Sequence, residues 1–134
     1  MTASFNSRSE KLAPNPFKLA AISLPLLMLG QLLLAGLGLF QQPAWWDAHA
    51  SLGMLLIVPV SWILIASWWQ QPVRALRWWA SLMALLYLLQ VLTMAIGQEA
   101  GLGWLLALHP FNAGLLLLTA LVLVAKIMRS HSGR

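Results

Sequence analysis

Four long apolar blocks, separated by short polar punctuation, constrain this chain more than any other feature. They run over residues 17–40, 46–69, 73–96 and 105–128. Each exceeds the roughly 20 helical residues needed to cross a hydrocarbon core. Lipid offers no partner for backbone amides, so only helices or closed barrels span it. Runs such as Leu115-Leu116-Leu117-Leu118 lack the period of two that barrel strands require. Composition agrees, with 60% apolar residues and 8% charged, against about 25% charged in a soluble domain. Eight basic and three acidic side chains cannot cover a water-soluble globule of 134 residues. Low charge and high hydrophobicity also exclude a disordered chain. The absence of cysteine removes disulfides, thiolate metal sites, iron–sulfur clusters and c-type haem attachment.

The expected fold is therefore all-α: an integral membrane four-helix bundle over residues 17–128. A mobile tail over 1–16 and a short tail over 129–134 flank it. Gln41-Gln42-Pro43, Gln70-Gln71-Pro72 and Gly97-Gln98-Glu99-Ala100-Gly101 close the first three spans. Pro25 and Pro59 each remove a backbone donor inside a span and should bend it. Gly30, Gly36 and Gly38 are small enough for close helix contact. The first span is longer than the apolar core of a signal peptide, so it reads as a retained helix.

The charges set an orientation. Arg8, Lys11 and Lys18 precede span one, Arg74 and Arg77 lie between spans two and three, and Lys126, Arg129 and Arg134 end the chain. All eight fall on one side, and Asp47 and Glu99 fall on the other. The positive-inside rule then places both termini and the middle loop in the cytoplasm. Helical spans fit a bacterial inner membrane, with a eukaryotic organelle as the alternative. Trp68, Trp69, Trp78 and Trp79 mark the inner interface, and Trp45, Trp46 and Trp104 the outer one. The net charge of +5 is thus a topology signal. No nucleic-acid partner is expected, because the aromatics sit in the lipid belts.

The chain also repeats. Gln31 lies 18 residues before His49, and Gln90 lies 19 residues before His109. Each half reads as helix, outer loop, histidine, small residue, apolar helix, giving two pseudo-repeated helix pairs. Trp69 follows His49 by 20 residues and Arg129 follows His109 by 20, so both histidines sit about 30 Å from the inner face. They open the second and fourth helices, which are diagonal partners in a bundle wound in sequence order. Pro110 suits a first helical turn there. His131 lies in the basic tail.

Two neutral imidazoles facing each other across a bundle can hold a metal between them, and a haem suits an apolar, elongated gap. His49 and His109 are the candidate metal ligands. Gly53 and Gly114 would leave room for the ring. Asn112, with nearby glutamines and indoles, would meet the propionates, since the outer side has no Arg or Lys. Thr93, Gln31 and Gln90 read as interhelical hydrogen-bonding groups.

Trp46-Asp47-Ala48-His49-Ala50-Ser51-Leu52-Gly53 and Leu108-His109-Pro110-Phe111-Asn112-Ala113-Gly114, in this helix order, resemble one four-helix half of the haem A synthase family. The resemblance implies a bundle with a histidine pair holding a b-type haem (heme b). It does not carry the family's enzyme activity: Asp47 is two residues before His49 rather than one turn, no cysteine pair is present, and there is one unit rather than two.

The expected function is a small b-type cytochrome that transfers electrons, with a quinol or an external redox protein as partner and a homodimer or larger membrane complex as its setting. The alternative is a non-catalytic accessory or assembly subunit with incidental histidines. A transporter would need an acid deep in a span, and the spans have none.

Overall fold

A computed structural model describes the backbone of residues 16–132 and side chains as far as Arg129. The N-terminal tail with Arg8 and Lys11, the His131 side chain and Arg134 lie outside the described residues. Among the described residues five α-helices follow one another: α1 Pro16–Phe40, α2 Trp45–Leu55, α3 Ile57–Trp69, α4 Arg77–Glu99 and α5 Gly103–Ser132. A 3-10 helix, Gln71–Leu76, joins α3 to α4. Four stretches are long and apolar enough to cross a membrane: Pro16–Phe40, Trp45–Trp69, Gln71–Glu99 and Gly103–Arg129. The molecule is a multi-pass membrane protein built as an all-α four-helix bundle.

The second span is interrupted at Leu56, where α2 gives way to α3. Pro59 explains the place. It has no N–H to bond the Leu55 carbonyl, and its ring crowds that same turn. The bonds on either side persist, Leu56 N–H to Leu52 O and Val60 N–H to Leu56 O, both at 3.2 Å. Pro25 leaves α1 unbroken. Two other boundaries differ from the sequence expectation. α5 begins at Gly103 and runs to Ser132, so Pro110 lies inside the helix and not in its first turn. Arg77 opens α4 and is not a loop residue.

The turn between α4 and α5 shows why. Gly101 takes φ +64, and the Leu102 N–H reaches back to the Gly97 carbonyl at 2.9 Å. This left-handed glycine with a six-to-one backbone bond ends a helix tightly. It reverses the chain in so few residues that α5 starts at once.

The helices pack in a ring: α1 on α2 and α3, α3 on α4, α4 on α5, and α5 back on α1. The second and fourth spans are therefore diagonal. The internal repeat extends to the buried positions. Ala21, Leu24, Met28 and Gly38 are buried in α1, and 59 residues on so are Ala80, Met83, Tyr87 and Gly97 in α4. Leu56, Val60 and Ile63 are buried, and 60 residues on so are Leu116, Ala120 and Leu123. The added residue falls between Gly97 and Leu106, where the corresponding stretch of the first hairpin is Gly38 to Trp46. Phe17, Leu24, Ile63, Met83 and Leu123 are fully buried and form a dry core toward the tryptophan-rich end that holds Trp68 and Trp78. In lipid such packing replaces the hydrophobic effect as the source of helix association. Ser67 is also fully buried at that end, its hydroxyl satisfied by Leu64 O at 2.8 Å, whereas the amide side chains of Gln31, Gln90 and Asn112 lie in the other half of the bundle.

Candidate functional site

His49 sits in the second turn of α2 and His109 in the second turn of α5. Both are half-buried. The two rings meet across the bundle, with centroids 6.3 Å apart and planes at 60°. This is the juxtaposition that matched depth and diagonal placement led one to expect.

Each ring is anchored in the same way. His49 Nδ1 lies 3.0 Å from the Gln31 backbone carbonyl, and His109 Nδ1 lies 3.1 Å from that of Gln90. A carbonyl can only accept, so Nδ1 carries the proton and donates in both rings. Nε2 is then the deprotonated nitrogen with a lone pair for a metal. A second-sphere carbonyl on Nδ1–H is also the usual way a ligating histidine is oriented and made more basic.

Each hairpin is closed on a glycine at the same register. A Cβ on Gly38 would come within 2.9 Å of the Trp46 ring, and a Cβ on Gly97 within 2.7 Å of Leu106. These glycines let α1 meet α2 and α4 meet α5 closely enough for the carbonyl to reach the imidazole. Trp46 in turn packs edge-on against His49, with centroids 5.5 Å apart. Gly30 makes ordinary contact with Leu52, and Gly36 faces open space.

The supports around the two anchors differ. Asn112 is buried, and its Nδ2 donates to Leu86 O at 2.8 Å and to Gln90 Oε1 at 2.7 Å. Both amide hydrogens are thus used inside the bundle. Asn112 clamps the residue that holds His109, so the amide expected to meet propionates spends its hydrogens on α4 instead. Gln31 has no such clamp. Its Oε1 is buried without a partner, and its Nε2 lies 2.7 Å from where a Gly53 Cβ would stand. Gly53 therefore makes room for the Gln31 amide. Gly114 is exposed with nothing within 4 Å of a Cβ. Trp45 Nε1, one helical turn before His49, is a second buried atom without a partner.

Sequence reasoning named Gln31 and Gln90 for their side chains. The atoms that hold the imidazoles are their backbone carbonyls, and the shared glutamine-to-histidine spacing was the signal for it. Thr93, expected to bond between helices, bonds its own helix at Leu89 O, 2.8 Å away. Tyr87 was missed. Its hydroxyl donates to Gly53 O at 3.0 Å and ties α4 to α2 beside the histidines. It is the chain's one tyrosine, placed in an apolar span, which was the available clue. A shallow apolar groove on the α1–α3 seam, lined by Leu27, Leu55, Val58 and Trp62 among others, includes neither histidine.

In comparisons with known proteins, the profile of a family of unknown function (DUF6220) matches residues 31–96. That stretch is similar to the family from Gln31 in α1 to Ile96 in α4, and it contains His49 but not His109. No curated protein and no solved structure matches the chain.

Proposed function

We propose that this protein is a small membrane b-type cytochrome in which His49 and His109 are the axial ligands of one haem, heme b. The observation that carries the reading is the meeting of two imidazoles, each with Nδ1 spent on a carbonyl, at 6.3 Å between centroids. Rings sharing one metal, each nitrogen about 2 Å from it and each ring centre about 1 Å further back, have centres about 6 Å apart.

Three features fit the group. The donor set is two neutral imidazole nitrogens, the pair that haem iron accepts. The two histidines are related by the bundle's own repeat and would approach a shared metal from opposite sides. Trp45 Nε1 is a buried donor in want of an acceptor, and it would hold a propionate at an end of the bundle that has no Arg or Lys.

A haem held there by His49 and His109 would supply one-electron transfer. The chain's own residues do the rest. The Gln31 and Gln90 carbonyls hold each imidazole in one tautomer. Asn112 fixes Gln90. The electron partner is a quinol in the bilayer or an external redox protein, and a homodimer or larger complex is the natural setting. Both termini face the cytoplasm in a bacterial inner membrane, on the positive-inside rule. The resemblance to the haem A synthase half is carried only as far as haem holding.

Titration of hemin into detergent-purified protein tests this. The expected result is saturable binding at one haem per chain with a low-spin, six-coordinate spectrum. His49→Ala and His109→Ala should each lose that spectrum. Failure of the wild-type protein to take up haem would overturn the reading.

A further inference from the structure

The opposite end of the bundle carries a cluster that the histidine site does not use. Lys18, Arg74, Arg77, Lys126 and Arg129 all lie there. The Arg77 guanidinium carbon is 5.6 Å from the ring centres of both Trp68 and Trp78. Those two indoles meet edge to face at 5.7 Å, and Trp68 Nε1 donates to Ser81 Oγ at 3.2 Å. On the other flank of α4, Lys126 Nζ lies 5.1 Å from the Trp79 ring. One cation is thus held on the α3–α4 seam and another on the α4–α5 seam.

Aromatic faces fix such cations in place but leave their charge uncompensated. No carboxylate offsets it among the described residues, because Asp47 and Glu99 sit at the far ends of α2 and α4. The same end opens onto lipid. Trp78, Leu82, Leu85, Leu89 and Leu92 are exposed and recur at helical spacing along one face of α4. An apolar track therefore leads away from a pair of immobilised cations at the depth where headgroups lie.

We propose that this end is a binding site for an anionic phospholipid, with its phosphodiester held by Arg77 beside Trp78, an acyl chain along the α4 track, and Lys126 on the opposite flank of α4 adding to the positive field that attracts the headgroup. Charge alone would suit free phosphate as well; the track favours the lipid. The proposal rests on the membrane-spanning fold and is independent of haem.

Native mass spectrometry of the full chain in detergent tests it, with phosphatidylglycerol and phosphatidylcholine of identical acyl chains as probes. The wild type should retain phosphatidylglycerol in preference. The Arg77→Ala/Lys126→Ala double variant should bind it about thirty-fold more weakly, which is about 2 kcal/mol at 1.4 kcal/mol per tenfold. Glu99→Gln, at the other end, should leave uptake unchanged. Should the double variant fail to fold, added salt on the wild type gives a second test: retention of phosphatidylglycerol should fall as screening rises, and that of phosphatidylcholine should not. Equal uptake of both lipids, salt-independent retention, undiminished binding by a folded double variant, or displacement of the lipid by excess inorganic phosphate would each overturn the proposal.

Discussion

The two hairpins of this bundle anchor their histidines identically and support those anchors differently. In the second hairpin, Gln90 gives its carbonyl to His109 and its side-chain oxygen to Asn112, which also binds Leu86 O. In the first, Gln31 gives its carbonyl to His49, but its side-chain oxygen is buried and unpartnered. The position 60 residues before Asn112 is Leu52, which has no donor to offer. The geometry of the imidazoles is thus a property of the repeat, and the polar network behind them is a property of one half. A buried group without a partner costs free energy, so the first hairpin holds a local deficit that the second does not.

The comparison can be broken or sharpened by mutation. The largest effect is expected at the shared element. His49→Ala and His109→Ala should each reduce haem affinity by more than tenfold and to a similar extent, read from the Soret band during hemin titration. A large loss from one variant alone would mean that the two positions are not equivalent.

Next comes the pair that should differ most between the halves. Gln90→Leu strips Asn112 of a partner and should destabilise the apoprotein by about 1 kcal/mol, within the range for interhelical bonds in membranes. Gln31→Leu removes an oxygen that has no partner and should be neutral or stabilising. Equilibrium unfolding in mixed detergent measures both, and equal destabilisation would remove the asymmetry.

Tyr87→Phe, which cuts the α4-to-α2 bond at Gly53, should cost about 0.6 kcal/mol in the same assay. The smallest contrast is Gly53→Ala against Gly114→Ala. The first must push the flexible end of Gln31 aside, whereas the second meets open space. Gly114→Ala should therefore gain a few tenths of a kcal/mol from helix propensity, and Gly53→Ala should fall short of that gain.

The spans, their antiparallel order and the pairing of His49 with His109 were legible because each rests on counting: block length, charge side, and residues from the inner interface. The diagonal placement followed from connectivity alone. What counting could not reach were atoms whose role depends on helix rotation. The Gln90 side chain makes the interhelical bond expected of it, to Asn112, yet it is the Gln31 and Gln90 main-chain carbonyls that anchor the imidazoles, since residue type says nothing about a main-chain acceptor. Asn112 was read as a donor to haem propionates, whereas both its amide hydrogens go to Leu86 O and Gln90 Oε1, partners that only the rotation of α5 against α4 reveals. Pro110 suggested a helix start, but the left-handed Gly101 had already started α5 by Gly103. Gly53 and Gly114 occupy similar registers after their histidines, and only coordinates show that one backs a buried amide and the other faces space.

The claim on which the functional account depends is that both imidazoles bind one iron. Electron paramagnetic resonance of the ferric protein, purified after expression with excess haem, addresses it most directly. The account expects one low-spin signal of bis-imidazole type at one haem per chain, converted to high spin or lost in His49→Ala and in His109→Ala. A protein that carries no haem, or one whose low-spin signal survives either substitution, would contradict it.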